Sequence, residues 1–309
     1  MKAVGVIGPD FEPRLFDIDE PTPARDGIVV KVLASSVNEF DRAAVRGHHH
    51  RHADWQAPVL LGRDFVGRVA AVGENVDYID VGMYVAGALA PQSGQAGTFT
   101  DEVAVAAESL APVPDGIDLA QVAGVGLAGV SALDAVNALG ITGLEIVIIQ
   151  GPVSGAGGFA LQLAKSRGAV VAALTLPEQT DLAWKLGADV VVPAGANHKQ
   201  ALERVRSLFG GSVDSAIHVA GDLSIAAAIL RPGGKFTSVS GATAAVKHLR
   251  PEFVPTVVAP NGHKLADLLF KVAARRLHSH VSATVSFDQV GDALSSGGDD
   301  DSGRVVLVR

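Results

Sequence analysis

The sequence predicts an α/β protein in two parts, a β-rich first domain and a doubly wound parallel-sheet domain, with a late return of strands to the first. Three observations carry this. Through about residue 115, short β-branched runs such as Gly27–Leu33 and Phe65–Gly73 alternate with Pro, Gly and Asp turns. From about Leu119, longer helical patterns alternate with strands, the texture of a parallel sheet covered by helices on both faces. After about Val258 a helical stretch, His263–Arg275, and two short strands, Val281–Phe287 and Arg304–Val308, close the chain.

Met1–Ile7 is too short an apolar stretch for a signal peptide and is soon broken by charges, so it reads as a first strand. Val122–Leu139 has a helical pattern. Ile146, Val147, Ile148 and Ile149 stand together as four β-branched residues without a polar break, a buried strand. That strand runs into a glycine-rich turn, Gly151–Gly158, and then into the helical spacing of Phe159–Lys165. Arg167 and Gly168 stop the helix, and Ala169–Leu174 completes a βαβ unit of about 30 residues. Further strands are expected at Val190–Val192, Ser215–Ala220 and Phe236–Ser240. Gly297–Gly303, with three adjacent Asp in no regular ligand spacing, reads as a solvated loop and not as a cation site.

Composition narrows the function classes. The 309 residues are 48% hydrophobic and 19% charged, enough apolar surface for large cores and too much for disorder. No apolar run reaches the ~18 residues that span a membrane. A formal net charge of −8, with no basic run outside Arg46–His52, argues against a nucleic-acid partner. With no cysteine there is neither a disulfide nor a thiolate-ligated zinc, and a cytoplasmic location is expected.

The Gly151–Gly158 turn is the strongest functional signal. Strand, glycine turn and helix together let backbone N–H groups meet a pyrophosphate at a helix N-terminus, and Gly155 and Gly157 leave room for phosphate oxygens. With 35 glycines in the chain such a turn can arise from composition alone, so the βαβ context decides in favour of a dinucleotide site. The spacing departs from a plain GxGxxG, because Ser154 stands where another glycine is expected.

Six segments, in order, resemble the zinc-independent medium-chain dehydrogenase/reductases, in particular their quinone oxidoreductase-like (NADPH:quinone reductase) branch. They are Ser35–Asp41, similar to S-x-N-x-x-D; Gly62–Gly73, similar to G-x-D-x-x-G-x-V-x-x-V-G; Gly97–Val103; Gln150–Ala160, similar to the cofactor loop; Leu230–Lys235, similar to L-R-P-G-G-K; and Ser302–Leu307. The resemblance covers nearly the whole chain. It implies a GroES-like substrate domain (residues 1–118, completed by 256–309), a Rossmann domain (119–255), nicotinamide bound in a cleft between them, and hydride transfer to an activated carbonyl or enone.

Residue by residue, the resemblance makes Asn38 the candidate catalytic group, near the nicotinamide or the substrate carbonyl. A loop-capping Asn is the competing reading. Cofactor contacts are expected from Asn38, Ser131, Gly151, Ser154, Gly155, Ala156, Gly157, Thr175, Ala220, Gly221, Ser240 and Gly241. Asp41 and Asp64 are expected to pin backbone N–H groups. No metal is expected: Arg63 precedes Asp64 where a zinc enzyme would place His, and the His48–His52 cluster lies in a variable surface loop. The family's tyrosine after the Asn-x-x-Asp segment is missing, since Arg42, Ala43 and Ala44 occupy that stretch. The two tyrosines, Tyr78 and Tyr84, lie elsewhere. His218 replaces the usual Asp before Ala220 and Gly221 and reads as a packed structural histidine.

An acid at the end of the second strand would hold a ribose 2′-hydroxyl and repel a 2′-phosphate. Thr175 stands there, which favours NADPH over NADH, although Glu178 is close by and Gln179 replaces a lysine; Lys185 and Arg167 are the nearby cations in sequence. The expected activity is metal-free NADPH-dependent reduction of a small-molecule quinone or α,β-unsaturated carbonyl compound. A non-catalytic nicotinamide-nucleotide-binding protein, a redox sensor or structural relative, is the alternative, and metal-dependent alcohol dehydrogenation through the His loop a third. A homodimer is expected, with Phe236–Ser240 as the candidate edge.

Overall fold

The computed structural model describes residues 1–8, 10–47, 57–90, 96–194, 198–239, 252–256, 259–295 and 303–309. They form two compact units: Met1–Val130 with Ala259–Asp299 and Arg304–Arg309, and Ser131–Val258 with Asp300–Gly303.

The first unit begins with β1 (Lys2–Val6), β2 (Arg14–Asp17), β3 (Gly27–Ser36), α1 (Glu39–Val45), β4 (Val59–Leu60), β5 (Asp64–Val72), β6 (Tyr84–Ala88), β7 (Glu102–Ala106), β8 (Leu110–Pro112) and α2 (Leu119–Ala123). β1 pairs antiparallel with β2 and with β4. β3 is the spine of the larger sheet, antiparallel to β5 and to β7, and is buried along almost its whole length, as its run of Ile28, Val29, Val30 and Val32 demands.

Where the sequence pattern suggested one helix over 122–139, the chain ends α2 at Ala123, makes a wider π turn over Val125–Gly129, and resumes as α3 (Val130–Leu139). The physical reason is local crowding. Arg304 donates Nη1–H to the Gly124 carbonyl, and a Cβ on Gly124 would collide with that guanidinium. A Cβ on Gly126 would likewise strike the Gly87 carbonyl. Glycines at both places let the backbone bulge instead of continuing its 3.6-residue spiral.

The second unit follows with β9 (Ile146–Gln150), α4 (Gly155–Ser166), β10 (Val170–Thr175), α5 (Thr180–Lys185), β11 (Val190–Pro193), α6 (His198–Leu208), β12 (Val213–His218), α7 (Leu223–Ala228), β13 (Leu230–Ser238) and β14 (Glu252–Phe253). The sheet order is β11-β10-β9-β12-β13-β14 and every pairing is parallel. Ile148, Leu174, Val192, Val205, Ile225 and Phe236 are buried in one cluster of its core. Phe236, Thr237 and Ser238 are buried inside the sheet, and β14 covers their far side. These residues of the expected dimer edge are therefore not an edge; Ser240 lies outside the described residues. β9 lies between β10 and β12, so the strand order reverses at its carboxyl end, the position where open α/β sheets bind ligands.

The chain then returns to the first unit with α8 (Gly262–Ala273), β15 (Val281–Ser286), α9 (Val290–Ser295) and β16 (Arg304–Val308). β16 pairs antiparallel with β3 and parallel with β15, giving the order β15-β16-β3-β5-β6-β8. The expected fold class, a GroES-like β-rich domain with a Rossmann parallel-sheet domain, is what these sheets form. Among the described residues no helix is long and apolar enough to cross a membrane. The Gly297–Gly303 loop lies outside the described residues except for Gly303.

Candidate functional site

Strand β9 delivers Gln150 to the carboxyl edge of the sheet, and Gly151 turns the chain there with φ +77, a left-handed conformation that only glycine adopts at little cost. A Cβ at Gly151 would sit 2.9 Å from the Ala220 nitrogen, so the β12–α7 turn closes tightly on this one. Ser154 caps α4: its Oγ–H donates to the Gly151 carbonyl at 2.8 Å, and its Oγ accepts from the Gly157 N–H at 3.3 Å. A Cβ on Gly157 would collide with the Gly151 carbonyl oxygen, so glycine is what lets the helix start lie directly on the turn.

The first N–H groups of any α-helix have no carbonyl partner within it. Here Gly157 donates to Ser154 Oγ and Gly158 to the Ser154 carbonyl. That leaves the Gly155 and Ala156 N–H groups with no acceptor among the described residues. Two free donors, the positive end of a twelve-residue helix and a collar of glycine make an anion cradle, and the residues present fit the diphosphate of a dinucleotide.

The strand end beside this cradle is uncharged. Thr175 ends β10 beside the turn, is buried, and donates its hydroxyl to Gln179 Oε1 at 2.9 Å. Arg167 caps the far end of α4, where it donates to the Val136 carbonyl, and Lys185 ends α5. Both helices carry the chain back to the start of the next parallel strand, so these two cations stand at the opposite edge of the sheet from Thr175 and do not reach the ribose position considered from sequence.

His218 ends β12 in register with Gln150. Its Nε2 lies 3.0 Å from the Gly221 carbonyl and its Nδ1 3.0 Å from Ser238 Oγ. A carbonyl only accepts, so Nε2 carries the proton and Nδ1 accepts from the serine. Burial holds the ring's pKa below the ordinary histidine value, against the raising effect of the Gly221 hydrogen bond, and the ring is neutral at pH 7. Gln150 donates Nε2–H to the Asp222 carbonyl at 2.9 Å. His218 is a packed histidine that ties the ends of β12 and β13 to the Gly221 turn.

In the first unit the site residues sit in a buried charge cluster. Asn38 is the N-cap of α1, and its N–H donates to Asp41 Oδ2 at 2.8 Å in a capping box. Asp41 also accepts the Gly62 N–H at 2.7 Å. Asp64 accepts from the Ser36 N–H at 3.1 Å, from the Ser36 hydroxyl at 2.8 Å, and from Asn38 Nδ2 at 3.3 Å. Both aspartates thus pin the backbone as expected. Burial pushes the Asp41 carboxyl up to about 6, with Arg63 pulling it back, and pushes Asp64 up against the opposing pull of Arg304. Arg63, lowered by burial to about 10, still carries its charge at pH 7; it donates to the Leu60 carbonyl at 3.1 Å and to the Ala96 carbonyl at 2.5 Å, with its guanidinium 3.7 Å over the Phe40 ring.

Sequence reasoning overlooked Arg63 as a core cation and Arg304 altogether. Arg63 had a local signal, its place inside the Gly62–Gly73 segment; Arg304 meets Asp64 only through the pairing of β16 with β3 and has none. Ser131, expected from the resemblance to contact the cofactor, is buried in α3. Ser240, Gly241, the His48–His52 cluster and Trp55 lie outside the described residues.

A six-stranded parallel sheet with an anion cradle at its switch point, carried on a chain that also builds an antiparallel-sheet unit from both its ends, defines a dinucleotide-binding protein of the dehydrogenase class. A family model described as "Alcohol dehydrogenase GroES-like domain" matches residues 24–115, and one described as "Zinc-binding dehydrogenase" matches residues 155–270. The chain belongs to the medium-chain dehydrogenase/reductase family, whose members are oxidoreductases that bind nicotinamide cofactors.

Among curated relatives, an acryloyl-coenzyme A reductase of Sulfurisphaera tokodaii is 28% identical over 62% of this chain and 64% of its own length. A zinc-type alcohol dehydrogenase-like protein of Schizosaccharomyces pombe is 27% identical over 84% of this chain and 78% of its own. The first of these is therefore matched over less than two thirds of its length. The structure of a quinone oxidoreductase from Coxiella burnetii superposes with a TM-score of 0.87 over 100% of this chain and 99% of that one, at 23% identity, a likeness of fold.

The zinc of the second family model's description does not fit the residues described here. The chain has no cysteine, and among the described residues no three His, Asp or Glu side chains gather as a ligand set. Between Gly62 and Asp64 the donor is a guanidinium, a cation itself.

Proposed function

We propose that this protein is a metal-free, NADPH-dependent oxidoreductase acting on a small quinone or α,β-unsaturated carbonyl compound. The observation that carries the reading is the pair of free N–H donors, Gly155 and Ala156, at the switch point of the parallel sheet. When bound, the reduced nicotinamide supplies the hydride. Gly151, Ser154, Gly155, Ala156 and Gly157 hold the diphosphate, Thr175 stands at the ribose, and Ala220 and Gly221 hold the turn that closes on Gly151. Ser131, Ser240 and Gly241 are assigned to the nicotinamide end by the family resemblance, and Asn38 to the substrate side. The neutral Thr175–Gln179 pair supports NADPH, since no carboxylate ends β10, while exposed Glu178 works against it. Absence of cysteine supports a reducing, cytoplasmic setting. A homodimer rests on the resemblance, with β14 as the edge strand of the sheet.

The lack of a tyrosine directly after Asp41, where Arg42, Ala43 and Ala44 stand, favours one second reading, a nucleotide-binding protein without turnover. Titration of the protein with NADPH and with NADH, followed by energy transfer from tryptophan to the reduced nicotinamide, tests the first step. Micromolar binding of NADPH and weaker binding of NADH are expected; binding of neither overturns the proposal. Consumption of NADPH with 1,4-naphthoquinone or a simple enone then separates an enzyme from a sensor.

A further inference from the structure

The orientation of the Asn38 amide is not free. Its Nδ2 faces the Ser36 carbonyl at 3.1 Å and Asp64 Oδ1 at 3.3 Å. The Ser36 carbonyl only accepts, so the nitrogen and not the oxygen must lie on that side. An asparagine amide has two N–H donors, and three acceptors stand within their reach, these two and the Ser36 Oγ at 3.4 Å. Its oxygen has two lone pairs, and in the capping box of α1 one of them faces the Asp41 N–H. One acceptor lone pair on Oδ1 is all that this half-buried side chain has left to offer a ligand.

The lock is itself held firmly. Asp64 is fully buried and accepts from the Ser36 N–H and hydroxyl as well as from Asn38; the Arg304 guanidinium, whose Nη1 donates to the Gly124 carbonyl, pulls against the burial that raises its carboxyl. Turning the amide over would set its oxygen against the Ser36 carbonyl, an acceptor with no proton to give.

We infer that Asn38 meets the bound compound as a hydrogen-bond acceptor, that the group it recognises is a hydroxyl, and that Asp64 is the positioning residue enforcing this. The inference rests on the substrate-side assignment of Asn38 made above. It sets aside polarisation of the substrate carbonyl by the Asn38 amide. A carbonyl oxygen brought to Oδ1 would meet another lone pair, whereas the hydroxyl of a reduced product, or of a hydroxylated substrate, would be held. The ligand class it selects is a flat carbonyl compound whose reduced form carries O–H at that point.

The test uses 2-naphthol and 2-methoxynaphthalene, which differ in one donor, titrated calorimetrically into the protein saturated with oxidised cofactor. The naphthol should bind about tenfold more tightly, the worth of one net hydrogen bond. Asn38→Ala should remove that preference by weakening the naphthol and leaving the ether unchanged. Asp64→Asn should reduce the preference in the parent and have no further effect on the ratio in the Asn38→Ala background, a pattern that a purely structural loss would not produce. If Asp64→Asn does not fold, Ser36→Ala, which removes a hydroxyl that Asp64 holds, should reduce the preference in its place. A preference that survives Asn38→Ala, or a variant that weakens both probes equally, overturns the inference. So does failure of both probes to bind protein saturated with oxidised cofactor; failure of the protein to bind NADPH at all overturns the proposed function instead.

Discussion

Two helices in this protein start beside candidate chemistry, and they are built from opposite materials. The turn into α4 is made of backbone: glycines at 151, 155 and 157, a serine cap, and two N–H groups with no acceptor among the described residues. The turn into α1 is made of buried side chains: Asp41, Asp64 and Ser36 around Asn38, with Arg63 and Arg304 supplying the countercharge. The first turn holds positive partial charge open to a ligand. The second encloses full charges, and its one outward-facing resource is an amide whose hydrogen bonds are almost all committed. A site made of backbone tolerates change in most side chains around it, while one made of buried charge fails as a set.

That contrast is broken most directly at Arg304. Arg304→Met leaves the Asp64 carboxylate in a buried setting without its cation, and removing one partner of such a pair costs about 3–5 kcal/mol. Urea unfolding at pH 7 should show that loss. Affinity of the folded variant for NADPH should stay near the parental value, because the α4 cradle uses none of these side chains. A variant with parental stability would show that the charge cluster does not hold the first unit together.

The same cluster should respond to pH. Burial raises the Asp41 carboxyl in the folded chain to about 6, from the ordinary aspartate value of 3.8. A carboxyl with a raised folded pKa binds its proton more tightly in the native state, so its contribution is complete below about 3.8 and is lost as the pH climbs through about 6. The span corresponds to at most about 3 kcal/mol at 1.36 kcal/mol per unit. Stability measured between pH 4 and 6.5 should fall with a slope that Asp41→Asn removes. An unchanged slope in that variant would assign the titration elsewhere.

How far each turn was legible in the sequence follows from what it is made of. The βαβ unit, the glycine positions and the Ser154 departure lie within one short stretch, and the apolar period of Ile146–Ile149 announces the strand without help from elsewhere. The role of Asn38 does not lie in such a stretch. Its neighbours arrive from β3, β5 and β16, and nothing around Arg304 says that its guanidinium ends beside Asp64. The interruption of the 122–139 helix was hidden for the same reason: Gly124 and Gly126 look like tolerated helix glycines until Arg304 and Gly87 are packed against them. Thr175 was legible as a neutral strand end, while its bond to Gln179 depended on the turn that follows.

Gly157→Ala sharpens the comparison from the backbone side. Its methyl group would enter the space of the Gly151 carbonyl, and overpacking of that kind costs about 1–3 kcal/mol. The expected result is a lowered thermal midpoint together with loss of NADPH binding beyond detection, since the cradle and the helix start move as one. Retained affinity would mean that the diphosphate is held somewhere other than the start of α4.

The smallest change is the most discriminating. Ser154 stands where another glycine was expected, and its hydroxyl accepts the Gly157 N–H, next to the Gly155 and Ala156 N–H groups. A Gly at the N-cap costs the helix only a few tenths of a kcal/mol relative to Ser, whereas Ala costs about 1 kcal/mol. Ser154→Gly should therefore leave the thermal midpoint almost unmoved and free a third N–H for the ligand, tightening NADPH severalfold. Ser154→Ala frees the same N–H but loses the cap, so its gain in affinity should come with a visible loss of stability. If both variants bind NADPH more weakly than the parent, the serine hydroxyl is itself a ligand to the diphosphate, and this turn borrows from side chains after all.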